Sequence, residues 1–280
     1  MPFRSMIGLM ITATAVISGP AAAQQVFDER KYPAFEGQWI RIGAIERYDQ
    51  TKPPARGQEA PLTPEYQAIF EANLAEVAKG GFGDDPVYTC IPEGMPRAMN
   101  LILPMEFVIK RDVSYIHMEY LSMLRRIYTD GRGFPNDEAP SWMGYSIGRW
   151  IDEDGKGRYD VLEVETRNLK NPRTFDASGM PLHKDAQTVV KERFYLDKAD
   201  PDILHDQITT YDHALTRPWT VTKTMRRERK PIWVESVCNE NNLQVNIGNE
   251  HYMLNEAGEL MPAKKDQPPP DLKHFSQSKK

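Results

Sequence analysis

Ionisable side chains recur along the strand-like segments of this chain, and their types suit proton-transfer chemistry. That chemistry needs a base with an adjusted pKa, an acid that returns the proton and a cation that holds a developing oxyanion. The candidate cations are Arg126, Arg132 and Arg149. The candidate carboxylates are Asp130, Glu163 and Glu192. The candidate proton shuttles are His117, His183 and Tyr128. The catalytic set that we predict from them is Arg126, Asp130, Arg132, His183, Glu192 and His117.

The polar candidates share faces of the predicted strands, because residues two apart in a strand point the same way. Tyr115, His117 and Glu119 alternate with apolar Ile116 and Met118. Such a polar face either points to solvent, as in a sandwich, or lines a cavity inside a barrel whose apolar face packs outward. A cavity of the second kind would hold a flat, apolar ligand. Its predicted walls are Tyr128, Trp142, Tyr145 and Trp219.

The motifs of several familiar enzyme sites do not occur in the sequence. It has no G-x-S-x-G, no G-x-x-x-x-G-K-[ST], no G-x-G-x-x-G after a predicted strand and no H-E-x-x-H. We therefore expect no cofactor and assign no metal ligand. A metal held by histidines and carboxylates from separate strands leaves no spacing to recognise, so that alternative stays open. The histidines of the predicted folded region are His117, His183, His205, His213 and His251.

The first 23 residues have the pattern of a secretory signal. Basic Arg4 precedes an uncharged apolar run over 6–18, and three small residues end at Ala23. The run is shorter than the ~20 residues of a membrane-spanning helix. We expect cleavage near Ala23, a periplasmic or secreted protein and no membrane anchor.

The formal net charge is −5, and an acidic protein repels phosphate backbones and anionic lipid headgroups. Nucleic acid and membrane surfaces are therefore poor candidates for partners. The partner that we expect is a hydrophobic or aromatic small molecule.

The two cysteines, Cys90 and Cys238, form an even pair in a chain with an export signal. An even count in an oxidising compartment favours a disulfide. The competing interpretation is a catalytic thiol, which needs a lowered pKa. Only Arg97 lies near Cys90 in the sequence to provide that.

The predicted architecture is all-β, an antiparallel meander closed into a barrel with one N-terminal helix. Thr63-Pro64-Glu65 indicates a helix start, and the helix is expected near 64–79. A first strand is expected within 35–48, and the domain is expected to cover 24–260, before an unpacked tail over 261–280. The other strands are predicted near 105–110, 113–120, 123–129, 143–151, 158–166, 187–197, 202–212, 218–228 and 231–238.

Two resemblances support this interpretation. Gly37-Gln38-Trp39 resembles the G-x-W signature of lipocalins, whose tryptophan closes one end of an eight-stranded barrel. A broader set of motifs looks like a large family of exported bacterial proteins of unassigned function. Its motifs here are CIPEGMPR (90–97), TDGRGFP (129–135), SWMGYSIGRW (141–150), KERFYL (191–196), RPWT (217–220) and CNENN (238–242). That family supplies no catalytic residues, and its Pro-His pair corresponds here to a histidine displaced by one, His183.

Two functions follow from these features. The first is a cofactor-independent lyase, isomerase or hydrolase that acts by acid/base chemistry on a hydrophobic compound bound in the barrel. The second is a periplasmic carrier that binds such a compound without changing it. Convergence of Arg126, Asp130, Arg132, Glu192 and His183 in one pocket would favour the enzyme, whereas a cavity lined by apolar groups would favour the carrier.

Overall fold

The computed structural model of this protein describes residues 27–271 except 45–46, 101, 233, 242 and 248–249. The predicted signal peptide at 1–23 lies outside the described residues. No helix in the described ranges has the length and apolar composition that a membrane crossing requires. The helices are α1 (Pro64–Val77) and α2 (Cys238–Asn241), and the strands are β1 (Gly37–Arg41), β2 (Met105–Ile109), β3 (Val113–Met118), β4 (Met123–Tyr128), β5 (Tyr145–Ile151), β6 (Val161–Arg167), β7 (Val189–Leu196), β8 (Ile203–Tyr211), β9 (Trp219–Arg227), β10 (Gln244–Ile247), β11 (Glu250–Leu254) and β12 (Leu260–Pro262).

Strands β1 to β9 form a closed barrel in sequence order, with β1 hydrogen-bonded to β9. The predicted barrel is therefore confirmed, and it has nine strands. A ring with an odd number of strands cannot alternate direction throughout, so one parallel pair is required. That pair is β4 with β5, and every other neighbouring pair is antiparallel. The 129–144 segment must consequently run back along the barrel before β5 begins.

The apolar face of each strand points into the barrel. Trp39, Phe107, Phe194 and Ile208 are almost completely buried and belong to one continuous core. The prediction that the polar strand faces line an interior cavity is wrong, because His117 and its outward neighbours lie on the outer surface of the wall. Burying apolar area stabilises the fold by about 25 cal/mol per Å². Packing the apolar face outward would leave much of that area in water.

Helix α1 begins where the sequence indicates. Thr63 Oγ1 accepts a hydrogen bond from the Tyr66 backbone N–H, and Pro64 occupies the first helical position. Tyr66 and Phe70 are buried against the barrel core. The Thr63 N–H donates to the Ala214 carbonyl at 2.8 Å. The start of the helix is thus fixed to the segment that follows β8.

The C-terminal region differs from its prediction. Cys90 and Cys238 form the expected disulfide across 148 residues of sequence. The strand predicted at 231–238 is wrong: its described residues form no strand, and Cys238 begins α2. The Gln38 side chain donates a hydrogen bond to the Ile232 carbonyl and accepts one from the Ile232 N–H. Both edges of β1 are already paired with other strands. No barrel edge therefore remains there for a further strand.

A small sheet of β10, β11 and β12 follows α2, and it was not predicted. Part of the tail expected to be unpacked belongs to this sheet, since β12 ends at Pro262. Gln267 is buried and donates to the His251 carbonyl at 2.7 Å. The tail is consequently packed at least as far as this residue.

Candidate functional site

A buried ion pair lies inside the barrel and joins β4 to β7. Arg125 and Glu192 have side chains with no solvent exposure. The Arg125 guanidinium donates to both carboxylate oxygens of Glu192, to Thr166 at 2.8 Å and to Ser146 at 3.3 Å. Glu192, a predicted catalytic carboxylate, is therefore bound on both oxygens inside the core. This arrangement supports a structural role for Glu192.

A second pair of buried charges lies beside the first. Lys223 and Asp206 are Cα partners on β9 and β8, and Lys223 donates to the Tyr48 carbonyl. Among the described residues, neither carboxylate oxygen of Asp206 has a hydrogen-bond partner. Burial lowers the pKa of Lys223 to about 7. Burial and the nearby charge of Glu192 raise the pKa of Asp206 well above its usual range, so the site favours the neutral form of both groups.

Four of the predicted site residues meet on the outer surface at the end of β4. The rings of Tyr128 and Tyr145 stack with centroids 5.0 Å apart, and the Arg132 guanidinium lies 4.0 Å from the Tyr128 centroid. Arg132 also donates to Asp130 at 2.6 Å. That hydrogen bond lowers the pKa of Asp130 and raises the pKa of Arg132. Both groups are consequently ionised at neutral pH, which suits ligand binding better than proton transfer.

A groove of about 450 Å³ lies on the outer face of β5 to β8, and we call it the outer groove. Phe134, from the segment between β4 and β5, lines it and lies 6.1 Å from the Tyr145 ring. The volume is within the range of small-molecule sites. The other outward side chains that line it are Ile147, Arg149, Glu163, Glu165, Lys191, Arg193, Gln207, Thr209 and Tyr211.

Charges in the outer groove alternate from strand to strand. Glu163 accepts from Arg149 at 2.6 Å and from Arg193 at 3.1 Å. Glu165 lies 3.4 Å from the Lys191 ammonium. Arg193 also pairs with Glu153 at 2.7 Å, and Arg167 pairs with Glu165 at 2.5 Å. Four cations thus face three carboxylates, since the Glu192 carboxylate is bound to Arg125 inside the wall. The groove has an excess of positive charge on a protein whose formal net charge is −5.

His183, another predicted catalytic residue, belongs to a separate group that we call the histidine–aspartate cluster: His183, Asp185 and His213. Asp185 Oδ1 lies 3.0 Å from His183 Nδ1, and Asp185 Oδ2 lies 2.5 Å from His213 Nδ1. Burial alone would raise the pKa of Asp185. Hydrogen bonds from the Gln187 N–H, His213 and His183 instead lower it to about 2. The carboxylate therefore stays ionised while it contacts two imidazoles.

A chain of hydrogen bonds holds the histidine–aspartate cluster in place. Asp212 accepts from the His183 backbone N–H at 2.9 Å and from Thr188 at 2.5 Å. Arg173 donates in turn to Thr188 at 2.7 Å. The Tyr66 ring of α1 lies 5.3 Å from the His183 ring. The segments before β7 and after β8 are thereby joined at this end of the barrel.

The remaining predicted site residues do not join these groups. Arg126 and His117 point outward from β4 and β3, whereas Glu192 points inward, so the barrel wall separates them. Trp219 packs in the core against Tyr48, with ring centroids 4.9 Å apart. The Trp142 ring lies 5.1 Å from the Lys170 ammonium. Within the described part of the chain, the predicted catalytic set is not assembled in one pocket.

Sequence reasoning missed three residues that the structure makes prominent. Arg125 alternates with apolar Met123 and Ile127, so strand periodicity alone indicates that it faces the core. Asp185 and His213 offered no such signal. They lie 28 residues apart in sequence, and only the pairing of β7 with β8 brings them together.

No family model and no curated protein matches this chain. The resemblance to exported bacterial proteins stays a prediction.

Proposed function

We propose that this protein is an exported binding protein whose ligand site is the outer groove. The ligand class is a small anion with an aromatic or apolar body. The observation that carries the proposal is the combination of Phe134 and Tyr211 with an excess of cations in a groove of about 450 Å³. Aromatic side chains provide apolar contact area, and arginine provides paired donors for a carboxylate.

The outer groove replaces the barrel interior as the expected site. Aromatic side chains fill the centre of the barrel: the Phe107 ring lies 6.2 Å from Phe35 and 5.7 Å from Phe194. All three are buried in one core. A ligand in that space would have to displace packed side chains, which costs several kcal/mol. A groove outside the wall needs no such rearrangement.

The binding function is better supported than acid/base catalysis by the residues first predicted. Asp130 and Arg132 form an ion pair that lowers the pKa of Asp130, which keeps this carboxylate ionised. Glu192 has both carboxylate oxygens bound by Arg125 inside the core. An acid/base catalyst instead needs a pKa near the working pH.

Catalysis remains a second candidate function, and one observation favours it. Asp185 contacts two imidazoles whose ring centroids are 5.5 Å apart. Within that distance one histidine can accept a proton while the other donates one, and Asp185 stabilises the imidazolium that forms. Incubation with aromatic esters and other aromatic metabolites, followed by mass spectrometry, tests this candidate. Turnover that His213→Ala does not reduce would contradict it.

Calorimetric titration tests the binding function directly. The probes are 2-naphthoate and its neutral counterpart 2-naphthalenemethanol, added to the wild-type protein and to Arg149→Gln and Phe134→Ala. We expect naphthoate to bind more tightly than the alcohol, and each variant to weaken naphthoate binding about tenfold, or about 1.4 kcal/mol.

The matched control is Arg126→Gln, an exposed arginine on the outer face of β4, outside the groove lining. It should leave the affinity for naphthoate unchanged. Equal binding of the acid and the alcohol, or equal weakening by Arg126→Gln and Arg149→Gln, would contradict the proposed site.

A further inference from the structure

We infer that His183, Asp185 and His213 form a binding site for a divalent transition metal of the zinc class. The ligand atoms that these residues offer all lie within 4.8 Å of one another. Two imidazoles and one carboxylate suit Zn²⁺, Co²⁺ or Ni²⁺, whereas Mg²⁺ and Ca²⁺ prefer all-oxygen sites. The inference does not depend on the ligand of the outer groove.

The contact between His183 and Asp185 brings together two groups that can share one metal ion. His183 Nδ1 lies 3.0 Å from Asp185 Oδ1 and 3.2 Å from the Asp185 backbone nitrogen. A proton on Nδ1 accounts for the contact with Oδ1 in the metal-free protein, and a metal ion can replace that proton because metal binding releases protons from its ligands. Ligand atoms of a tetrahedral zinc site, with bonds of about 2.0–2.1 Å, are about 3.4 Å apart, so this pair already has nearly the required spacing.

His213 adds a third possible ligand to this pair. Its Nδ1 approaches the second oxygen of the same carboxylate at 2.5 Å, from a different segment of the chain. Two protons could occupy the two contacts separately, whereas one metal ion takes three or four ligands in a compact arrangement. The three residues offer one ion two imidazole nitrogens and a carboxylate oxygen, all within 4.8 Å of one another.

Outer hydrogen bonds support the donors as they do in metal sites. The Asp212 carboxylate accepts hydrogen bonds from the His183 backbone N–H and from the Thr188 hydroxyl. Arg173 donates to the same hydroxyl. The Gln187 N–H donates to Asp185 Oδ1 at 3.0 Å. Partners of this kind fix the orientation of the ligands and raise metal affinity.

The position of the cluster indicates what a bound metal would do. The His213 side chain is 68% exposed, and those of His183 and Asp185 are partly exposed. Three protein ligands with open access are typical of catalytic rather than structural zinc sites, because a water completes the coordination. A metal there would lower the pKa of that water and supply hydrolytic chemistry, one of the reaction classes expected from the sequence.

Metal titration of the chain, purified without a polyhistidine tag and treated with a chelator, tests the inference without any substrate. We expect one equivalent of Zn²⁺ to bind by calorimetry with a dissociation constant in the micromolar range or below, and Zn²⁺ to raise the unfolding temperature. Co²⁺ should give the visible absorption of a site with nitrogen ligands. His213→Ala and Asp185→Asn should each weaken Zn²⁺ binding at least tenfold.

The matched control is His205→Ala, which removes a histidine that pairs with one carboxylate, Asp197, at 3.2 Å. It should leave Zn²⁺ binding unchanged. His213 is exposed, so its alanine variant should fold, and circular dichroism checks this. Absence of stoichiometric binding, or equal weakening by His205→Ala and His213→Ala, would overturn the inference. Because no organic ligand is used, this failure is separate from a failure of the outer groove as a binding site.

Discussion

Two arginine–glutamate pairs lie on opposite sides of the same barrel wall. Arg125 and Glu192 have fully buried side chains, whereas Arg149 and Glu163 are 75% and 26% exposed. The Coulomb energy of a pair depends on the dielectric around it, and so does the cost of removing one partner. The same residue types therefore hold the core together on one side and remain available to a ligand on the other.

A charged residue on a strand is therefore not by itself evidence of a functional site. Inside the wall, hydrogen bonds saturate the guanidinium of Arg125 and fix its position. Outside, Glu163 is shared by Arg149 and Arg193. Surface pairs of this kind contribute little to stability, so their geometry can change when a ligand binds. Substitutions inside the wall should therefore change stability more than substitutions outside it.

The largest effect is expected from breaking the inner pair. Glu192→Gln removes the carboxylate that is hydrogen-bonded to the buried Arg125 guanidinium, and this should lower the free energy of unfolding by about 3–5 kcal/mol. Urea denaturation measures the loss. As a control, Arg125→Met with Glu192→Leu should cost far less, because no buried charge is left unpaired. A single variant as stable as the wild type would contradict the structural role of Glu192.

The second effect concerns Asp206 and Lys223. Replacing both, as Asp206→Leu with Lys223→Met, removes an unsatisfied buried carboxylate and a desolvated ammonium. We expect the free energy of unfolding to rise by about 1–4 kcal/mol. Thermal and urea unfolding provide the measurement. A destabilised double variant would mean that the pair contributes net stability in the folded barrel.

The third effect is a dependence of stability on pH that comes from Lys223. Its ordinary pKa is 10.5, and burial lowers the pKa to about 7 in the folded protein. Between these values the unfolded chain binds more protons than the folded one, so stability rises with pH. From pH 7 to 9 we expect this contribution to grow by about 2 kcal/mol.

The Lys223→Met variant is the control for that dependence, because it lacks the titrating group. The unfolding free energy of the wild type minus that of the variant should increase as the pH rises from 7 to 9. A difference that stays constant over this range would show that Lys223 does not titrate there.

The smallest effect is expected on the outer side. Glu163→Gln should change the free energy of unfolding by less than about 1 kcal/mol, and added salt should reduce even that change. Salt should barely alter the effect of Glu192→Gln, because screening does not reach buried charges. If Glu163→Gln and Glu192→Gln had equal effects, the distinction between the two faces would fail.

Much of the fold follows from local patterns. Thr63-Pro64 fixes the start of α1, and alternating residues place β2 to β9 close to their observed bounds. The pairing of Cys90 with Cys238 follows from an even count in a chain with a predicted export signal. Strands β10 to β12 were not predicted from the sequence. The hydrogen bonds between the Gln38 side chain and the Ile232 backbone were not predicted either. That contact joins residues 194 positions apart.

Local sequence is enough to show which residues alternate on each strand, because side-chain direction in a strand is local geometry. Which face lies inside is a property of the tertiary structure, since it depends on the apolar area that nine strands bury together. Arg125 and Arg126 are chain neighbours, yet one is in the core and the other in solvent. The meeting of His183, Asp185 and His213 likewise depends on strand pairing, which brings distant segments to one end of the barrel.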